Sequence, residues 1–452
     1  MSEEATLDEF TETTEEIESG KSEEQELFGL GEIPADWSIE PLADIAKIIP
    51  GNSPPSSTYN EKGDGLPFFQ GNSEFGHFHP EADTWCSEPR KEAEKNDVLM
   101  SIRAPVGDLN IADRNCCIGR GLAALRPETL NELYLLYNLA ERKPWLSRLA
   151  TGSTFKSVTK SDLQLLDIPV PPFSEQRKIA TILYTVDQAI QTTEEIIEQT
   201  HRVQDGVIQN ALEFGIGGHE SSDTGTKLGR IPCHWEVATI EQIVADEENA
   251  FTDGARYSLS SAEIHEEGEA RAILLQEVGE GEFIDVEPKF ATAEKYEEIT
   301  HRAIYQGEVV VAKMAEPVAR ACIVPDKYDK YLLGCADVVR IKTNSEFNDR
   351  FLMYCMNSHK VWRQAVAHLR GTGRSRINLE NIAELNLPKP PLTIQEEIAD
   401  TLQEFDLKIE NEQDYRNRLQ RLKQGLMQDL LSGTVRATDT NIEVPEEIAQ
   451  HG

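Results

Sequence analysis

The chain contains a long internal repeat. Residues 151–176 (TGSTFKSVTKSDLQLLDIPVPPFSEQ) correspond to residues 370–395 (RGTGRSRINLENIAELNLPKPPLTIQ). Gly152 matches Gly371, and the offset, 371 − 152 = 219, continues without a gap until Gly206 matches Gly425. Solenoid repeats are about 20 to 50 residues long, so a period of this length indicates a duplicated domain instead.

A second pair of matching segments fixes where each unit begins. GEIPADW at 31–37 corresponds to GRIPCHW at 229–235, and the offset there is 235 − 37 = 198. The second unit is therefore longer by 219 − 198 = 21 residues between these two markers. In both openings the Ile-Pro-x-x-Trp pattern predicts a turn that leads into a strand, with Trp37 and Trp235 in the core.

Within each unit, short apolar runs precede a segment of helical spacing. The runs predict strands at 66–70, 97–102 and 121–127, and again at 272–278, 308–314 and 336–341. Apolar residues three and four apart predict helices over 131–150 and 350–369. We therefore expect an α+β chain with two mixed α/β bodies, residues 29–172 and 229–391.

Each body ends in a Pro-Pro pair, and a long helical pattern follows over 173–214 and over 392–436. Ser174 and Thr393 are candidate N-cap residues. Helices of this length extend about 60 Å at about 1.5 Å per residue. An apolar stripe of that length favours pairing of the two helices as a coiled coil, and the short link 215–228 favours an antiparallel arrangement. The stripe contains these residues: Ile179, Leu183, Val186, Ile190, Ile398, Leu402, Phe405 and Ile409, continued by Leu419, Leu422 and Leu426.

The charge balance is strongly acidic, with 80 Asp and Glu against 44 Lys and Arg and a net charge of −36. Taken alone, this argues against a nucleic-acid partner, because phosphate binding requires a basic surface. Carboxylates spread over the whole chain are also expected of a salt-adapted, halophilic protein, in which repulsion is screened. Residues 1–28 are predicted to be a disordered acidic leader, and 437–452 a similar acidic tail.

Other sequence signals exclude several classes of protein. No apolar run reaches the roughly 20 residues that span a membrane, and the first residues do not resemble a targeting signal, so we expect a cytoplasmic protein without membrane contact. The seven cysteines show no zinc-ligand spacing and are expected to be reduced thiols, with no metal site. Nucleotide-binding and metalloprotease motifs are absent, and VPPF at 170–173 lacks the Asn or Asp of the methyltransferase tetrad. We therefore expect no catalytic residues.

The order of these motifs resembles the DNA-specificity subunit of type I restriction-modification systems. The resemblance rests on the Ile-Pro-x-x-Trp opening, the TGS loop, the Pro-x-Pro-Pro linker and the closing LKQGLMQDLLSGTVR, and it covers residues 31–436. It implies two target-recognition domains on double-stranded DNA, with long helices that dock two methyltransferase subunits and a motor-nuclease subunit. It also implies that S-adenosylmethionine, ATP and magnesium are bound by those partners and that this chain has no cofactor. Two alternatives stay open, a scaffold that holds two protein ligands and a DNA-binding subunit of another restriction enzyme type.

The repeat separates two kinds of candidate DNA contact. Residues shared by two bodies that bind different half-sites carry no sequence information, so the glycine loops are candidates for phosphate contact, or for tight turns alone. Residues that differ are candidates for base recognition, since Arg is the commonest contact to guanine. The candidates in the first unit are Arg103, Arg120, Gly152, Ser153, Thr154 and Lys156, and those in the second are Arg363, Arg370, Thr372, Arg374 and Arg376.

Overall fold

A computed structural model describes residues 33–149, 157–253, 259–260, 262–314, 316–369, 376–445 and 448. The predicted leader, 1–28, lies outside these residues. The chain forms two compact units. Unit 1 comprises the residues up to Glu195 together with those from Gln413 onward, and unit 2 comprises Ile196–Glu412.

The body of unit 1 contains two small sheets and a helical layer. An antiparallel sheet has the order β2-β10-β7-β8, and a second sheet, β3-β5-β4-β9-β6, includes the parallel pair β4 and β9. A separate ladder joins β1 to β11. The strands are β1 Ser38–Pro41, β2 Ala46–Pro50, β3 Tyr59–Asn60, β4 Leu66–Phe69, β5 Trp85–Cys86, β6 Glu92–Ala93, β7 Val98–Ser101, β8 Leu109–Ile111, β9 Cys116–Ile118, β10 Leu122–Pro127 and β11 Asp167–Val170. The helices are α1 Leu42–Ile45, α2 Glu132–Glu141, α3 Lys143–Leu149, α4 Lys160–Gln164 and the long α5 Phe173–Phe214, which continues into unit 2.

The body of unit 2 repeats this topology, with four strands in its second sheet where unit 1 has five. Its antiparallel sheet has the order β15-β22-β19-β20, its second sheet, β17-β16-β21-β18, contains the parallel pair β16 and β21, and β14 pairs with β23. The strands are β12 Ser221–Asp223, β13 Arg230–Pro232, β14 Glu236–Thr239, β15 Phe251–Asp253, β16 Ala270–Ile273, β17 Phe290–Ala291, β18 Ala303–Ile304, β19 Val309–Ala312, β20 Ala321–Ile323, β21 Tyr331–Leu333, β22 Val338–Ile341 and β23 Asn386–Lys389. The helices are α6 Ile240–Ile243, α7 Ala293–Glu298, α8 Asp349–Asn357, α9 His359–Ala367, α10 Leu379–Ala383 and the long α11 Leu392–Leu431, which ends in unit 1.

The repeated sequence markers have the same structural role in both units. Trp37 N–H donates to the Pro34 carbonyl and Trp235 N–H to the Pro232 carbonyl, which closes the predicted turn before β1 and β14. Both indole rings are buried, as predicted.

The repeated glutamines explain why the Pro-Pro linker is followed by Gln. Gln176 Oε1 accepts from Asn131 N–H at 2.9 Å, and Gln176 Nε2 donates to the Pro171 carbonyl. In unit 2, Gln395 Oε1 accepts from Asn348 N–H at 2.8 Å and its Nε2 donates to the Pro390 carbonyl. Both side chains are buried and make these bonds within their own unit. These hydrogen bonds connect the start of each long helix to Asn131 or Asn348, each of which caps a helix of its body.

The two long helices run antiparallel where they meet in unit 1. Glu175, near the start of α5, accepts hydrogen bonds from Arg436, just beyond the end of α11. Further along α5, Asp187 pairs with Lys423 at 2.6 Å. Tyr137 of the body also donates to Asp187, at 2.8 Å. The Asp187 carboxylate therefore contacts both the body and Lys423 of the second long helix.

Unit 2 contains the same arrangement with one substitution. Tyr354 donates to Asp406, and Gln204, which stands where the repeat has Lys423, donates to Asp406 as well. The antiparallel pairing predicted from the short link is thus present in each unit.

Several local predictions differ from the structure. Ser174 and Thr393 lie inside the first turns of α5 and α11 instead of capping them, because the helices begin at Phe173 and Leu392. Helix α11 ends at Leu431 and not at residue 436, since Gly433 adopts a positive φ of 76° that stops the helix.

The tail also differs from the expectation of a free acidic segment. Ala437 and Ile448 are buried in the core of unit 1, and Val444 packs against it. Lys178 Nζ donates to the carbonyls of Thr438 and Thr440, which ties the described part of the tail to α5. The acidic composition of the tail did not predict these apolar contacts.

Candidate nucleic-acid interface

In unit 1, several strand ends meet at one edge of the body. Gly119 N–H donates to the Phe69 carbonyl at 2.8 Å, and Gly121 N–H donates to the Gln70 carbonyl at 3.2 Å. The space around the glycines is closed: a Cβ on Gly51 would lie 2.1 Å from the Gly119 carbonyl oxygen, and one on Gly119 would lie 2.9 Å from Gln70 Cα. Only glycine allows these backbones to approach so closely, and the three loops therefore form one rigid platform.

This platform holds three polar side chains in contact. Ser53 Oγ accepts from Arg120 N–H at 3.1 Å and from Arg120 Nε at 3.4 Å. The same hydroxyl donates to Gln70 Oε1 at 3.0 Å. Gln70 and Arg120 are exposed, so their remaining donors and acceptors face solvent.

Ser157 and Val158 lie at this same edge. Val158 N–H donates to the Ile102 carbonyl at 3.0 Å, and Ile102 N–H donates to the Gly121 carbonyl at 2.9 Å. Ser157 forms a β-bridge with Arg103, whose side chain is exposed. Among the described residues of unit 1, no carboxylate pairs with Arg103 or Arg120. In so acidic a chain, guanidinium groups without a carboxylate partner are suited to an external anion.

The equivalent edge of unit 2 has a similar backbone, with a connection one residue longer, and different side chains. Gly334 N–H donates to the Ile273 carbonyl at 2.8 Å, as Gly119 does to Phe69. Arg376 forms a β-bridge with Met314, as Ser157 does with Arg103. In unit 2 the cationic side chains are paired with carboxylates of the same unit. Arg376 NH2 lies 2.8 Å from Asp337 Oδ1, and Lys313 Nζ lies 2.6 Å from Asp253 Oδ2.

These backbone contacts identify which residues of unit 2 correspond to Gln70 and Arg120 of unit 1. Gln70 is matched by Leu274, and Arg120 by the connection Cys335-Ala336. Burial raises the pKa of the Cys335 thiol, so this position is neutral near pH 7. The two edges therefore share a scaffold and present different chemistry.

Four of the eleven residues predicted to contact DNA lie within the described part of the structure. Arg103 and Arg120 both lie at the unit 1 edge, and Arg376 lies at the corresponding edge of unit 2. Arg363 is exposed in α9 and donates to the Lys227 carbonyl at 3.0 Å. The other candidates lie outside the described residues: Gly152, Ser153, Thr154, Lys156, Arg370, Thr372 and Arg374.

The sequence interpretation did not include Ser53 or Gln70. Ser53 belongs to a segment rich in turn-forming residues, and Gln70 ends a predicted strand, so neither had a signal of its own. The structure alone aligns Gln70 with Leu274, because the strand predicted over 272–278 extends past Leu274 and β16 ends at Ile273.

The apolar stripe of the long helices mostly packs inside the chain. Ile179 and Leu183 belong to the core of unit 1, and Ile398 and Leu402 to the core of unit 2. Ile190 and Ile409 are also buried, whereas Val186 and Phe405 are half-buried. A buried side chain is not accessible to a partner, so the six buried residues have a structural role, and docking through Val186 and Phe405 stays a prediction.

Leu422 was assigned to that stripe, but it is 50% exposed; Met427, Leu430 and Leu431 take the core positions instead. Val203 stands 219 positions earlier and is 46% exposed. The repeat thus leaves an equivalent apolar residue accessible on each long helix.

Among the described residues, no helix combines the length and the apolar character needed to cross a membrane. No group of three or more His, Cys, Asp or Glu side chains is placed to hold a metal ion within the described ranges.

The fold and the two edges define a protein with a duplicated α/β body. The family model for the type I restriction modification DNA specificity domain matches residues 34–202 and 236–421, and the chain belongs to this family. It is a specificity subunit and not a catalytic one.

Individual relatives agree with this assignment. The chain is 24% identical to the MjaVIII type I restriction enzyme specificity subunit of Methanocaldococcus jannaschii over 92% of this chain and 97% of that protein. It is 41% identical to the specificity subunit assigned to the MjaX enzyme of the same organism, over 40% of this chain and 44% of that one. The solved S subunit of a type I restriction-modification system from M. genitalium is 16% identical, with a TM-score of 0.57 over 88% of this chain and 96% of that one, and so shares the fold.

Proposed function

We propose that this chain recognises a bipartite double-stranded DNA target, one half through each unit. The observation that carries the proposal is the duplicated edge, where one backbone scaffold presents Arg103, Arg120 and Gln70 in unit 1 and Arg376 with Asp337 in unit 2. A shared scaffold with different side chains is what two different half-sites require.

We further propose that the long helices dock two methyltransferase subunits and that a motor-nuclease subunit completes the complex. The repeat supports two copies of one partner, because Val203 and Leu422 are exposed at equivalent positions of α5 and α11. S-adenosylmethionine, ATP and magnesium are then bound by those subunits, in the cytoplasm, where the DNA is. The unusual acidity fits a salt-adapted protein.

A reconstitution experiment tests the function. The purified chain alone should not methylate DNA. With methyltransferase subunits from the same system and S-adenosylmethionine, it should direct methylation to one interrupted sequence, detected by mapping methylated bases across genomic DNA. Methylation by the chain alone, or methylation without sequence preference in the complex, contradicts the proposal.

The scaffold alternative makes a different prediction. A scaffold for two protein ligands has no preference among DNA sequences at any salt concentration. Binding to target and non-target duplexes, measured over a range of KCl concentrations, separates the two, because specific recognition keeps a ratio between the duplexes as nonspecific affinity falls.

A further inference from the structure

We propose that Gln70 and Arg120 are base-recognition residues of unit 1 and that Ser53 positions both of them. This inference rests on the proposed function and extends it to individual side chains. It assigns a small array, Ser53, Gln70 and Arg120, to adjacent bases in the major groove of one half-site.

The hydrogen bonds inside the array leave the required atoms available. Ser53 accepts from Arg120 N–H and Nε, so both terminal nitrogens of that guanidinium remain to donate. Gln70 Oε1 accepts one hydrogen bond from Ser53, which leaves a second lone pair and both Nε2 protons. Arg donates in a bidentate manner to guanine O6 and N7, and Gln pairs in a bidentate manner with adenine N6 and N7. Both side chains are therefore oriented by Ser53 without losing their recognition atoms.

The platform beneath the array is rigid. Gly51, Gly119 and Gly121 bring three loops into backbone contact, and a Cβ on Gly121 would lie 2.5 Å from the Gln70 carbonyl oxygen. Side chains on a fixed backbone lose little conformational entropy on binding, which favours specific contacts.

The comparison between the two units distinguishes residues that the fold requires from residues that recognise one half-site. The hydrogen bonds from Gly119 to Phe69 and from Ile102 to Gly121 recur in unit 2, from Gly334 to Ile273 and from Lys313 to Asp337. However, Leu274 replaces Gln70, and Cys335 and Ala336 replace Arg120. A structural requirement of the fold would apply to both units. Divergence at matched positions of a common scaffold is instead expected of residues that distinguish one half-site from the other.

The environment of Arg120 also favours an external partner. No described carboxylate pairs with it, although the chain has 80 acidic residues. Arg114 of the same unit is exposed and paired with Asp113, and it provides a control.

The experiment uses the chain assembled with its methyltransferase subunits and a DNA library randomised across both half-sites. Gln70→Leu introduces the residue of unit 2, and Arg120→Lys keeps the charge but removes bidentate geometry. Each variant should reduce discrimination at one base pair of a single half-site by about 10- to 100-fold, as expected for the loss of a bidentate contact. The other half-site should be unchanged, and Arg114→Lys should match the wild type.

Ser53→Ala tests positioning. It should weaken discrimination at both affected base pairs, which should be adjacent, while the melting temperature of the protein stays within the range of the control variant. A loss of stability without a change in base preference would assign Ser53 a structural role only and overturn this part.

Two outcomes overturn the assignment as a whole. One is an unchanged preference at every base pair in Gln70→Leu and Arg120→Lys. The other is a uniform loss of affinity for all sequences with a shallower salt dependence, which indicates phosphate contact. A wild-type complex that shows no sequence preference would instead contradict the proposed function, so the two failures are distinguishable.

Discussion

At the scale of single residues, the described part of unit 1 contains a charged cluster whose central carboxylate, Glu175, has an apolar counterpart in unit 2. Glu175 is fully buried and accepts hydrogen bonds from Arg436 at 2.7 Å and from Trp37 Nε1 at 3.1 Å. Arg436 also pairs with Asp36 at 2.7 Å. In unit 2 the residue equivalent to Glu175 is Ile394, an apolar residue. The cluster therefore joins the described beginning of unit 1 to the chain beyond α11.

Replacement of Arg436 by Ala should destabilise unit 1. The change leaves the Glu175 carboxylate buried with Trp37 as its remaining side-chain donor, and loss of one partner of a buried ion pair costs about 3 to 5 kcal/mol. Chemical denaturation measures the effect. The double variant Arg436→Ala with Glu175→Gln should recover part of the loss, because it removes the unpaired charge. A single variant within about 0.5 kcal/mol of the wild type would contradict this role.

The same cluster predicts a pH dependence. Burial alone would raise the pKa of Glu175, but the hydrogen bonds from Arg436 and Trp37 outweigh it and hold that pKa below its usual value of 4.5. A carboxyl group whose pKa is lowered by folding stabilises the protein above its unfolded pKa, and this stabilisation disappears as the pH falls through the folded value. The difference in unfolding free energy between wild type and Arg436→Ala should therefore be full near pH 7 and shrink below about pH 4.5. A difference that is constant from pH 7 to pH 3 would contradict the pairing.

The sequence predicts only part of this cluster. The buried position of Trp37 follows from the repeated Ile-Pro-x-x-Trp opening. The partnership of Glu175 with Arg436 joins residues 261 positions apart, and no local pattern indicates it. The acidic context of the tail suggested that this segment is free, whereas Ile448 and Ala437 are buried.

At the scale of elements, the long helices show what helical periodicity can and cannot predict. Their existence followed from the repeat and from apolar residues three and four apart. The spacing did not distinguish residues that pack within the chain from residues that stay accessible, because both are apolar. Leu422 is the example: it continues the predicted stripe, yet half of it is exposed.

Val203→Asp and Leu422→Asp should each weaken the docking of one methyltransferase subunit. A carboxylate in an apolar contact loses hydration without gaining a partner, and charged residues are depleted in interface cores. Mass measurement of the assembled complex should show one methyltransferase subunit in place of two for each single variant, and none for the double variant.

The control for this experiment is Leu165→Asp in unit 1, a leucine that is 76% exposed and lies outside the long helices. This variant should bind both methyltransferase subunits. If all four proteins assemble with the same stoichiometry, Val203 and Leu422 do not belong to the docking surface, although the DNA proposal is unaffected.

At the scale of the whole molecule, the repeat predicted two α/β bodies, and the structure contains them with matching strand orders. It could not predict which strand ends meet, because the parallel pairs β4 with β9 and β16 with β21 join segments distant in sequence. Ser53 and Gln70 contact Arg120 only through that topology. The glycine loops, on which much of the sequence interpretation rested, lie outside the described residues, so their role stays a prediction.

The modular organisation leads to the last prediction, the exchange of one body. Residues 34–170 extend from the opening turn to the end of β11, and Pro171 follows before α5 begins. Replacing them with the corresponding body of a family member that has another target should change one half-site and leave the other intact, because each edge is built from its own unit. Ile179 and Leu183 of α5 pack into the exchanged core, so the donor must carry residues of similar size there to keep the unit folded. The reciprocal exchange of residues 232–389 should change only the other half-site, and mapping of methylated sequences measures both. A change in both half-sites after a single exchange would mean that the units do not recognise DNA independently.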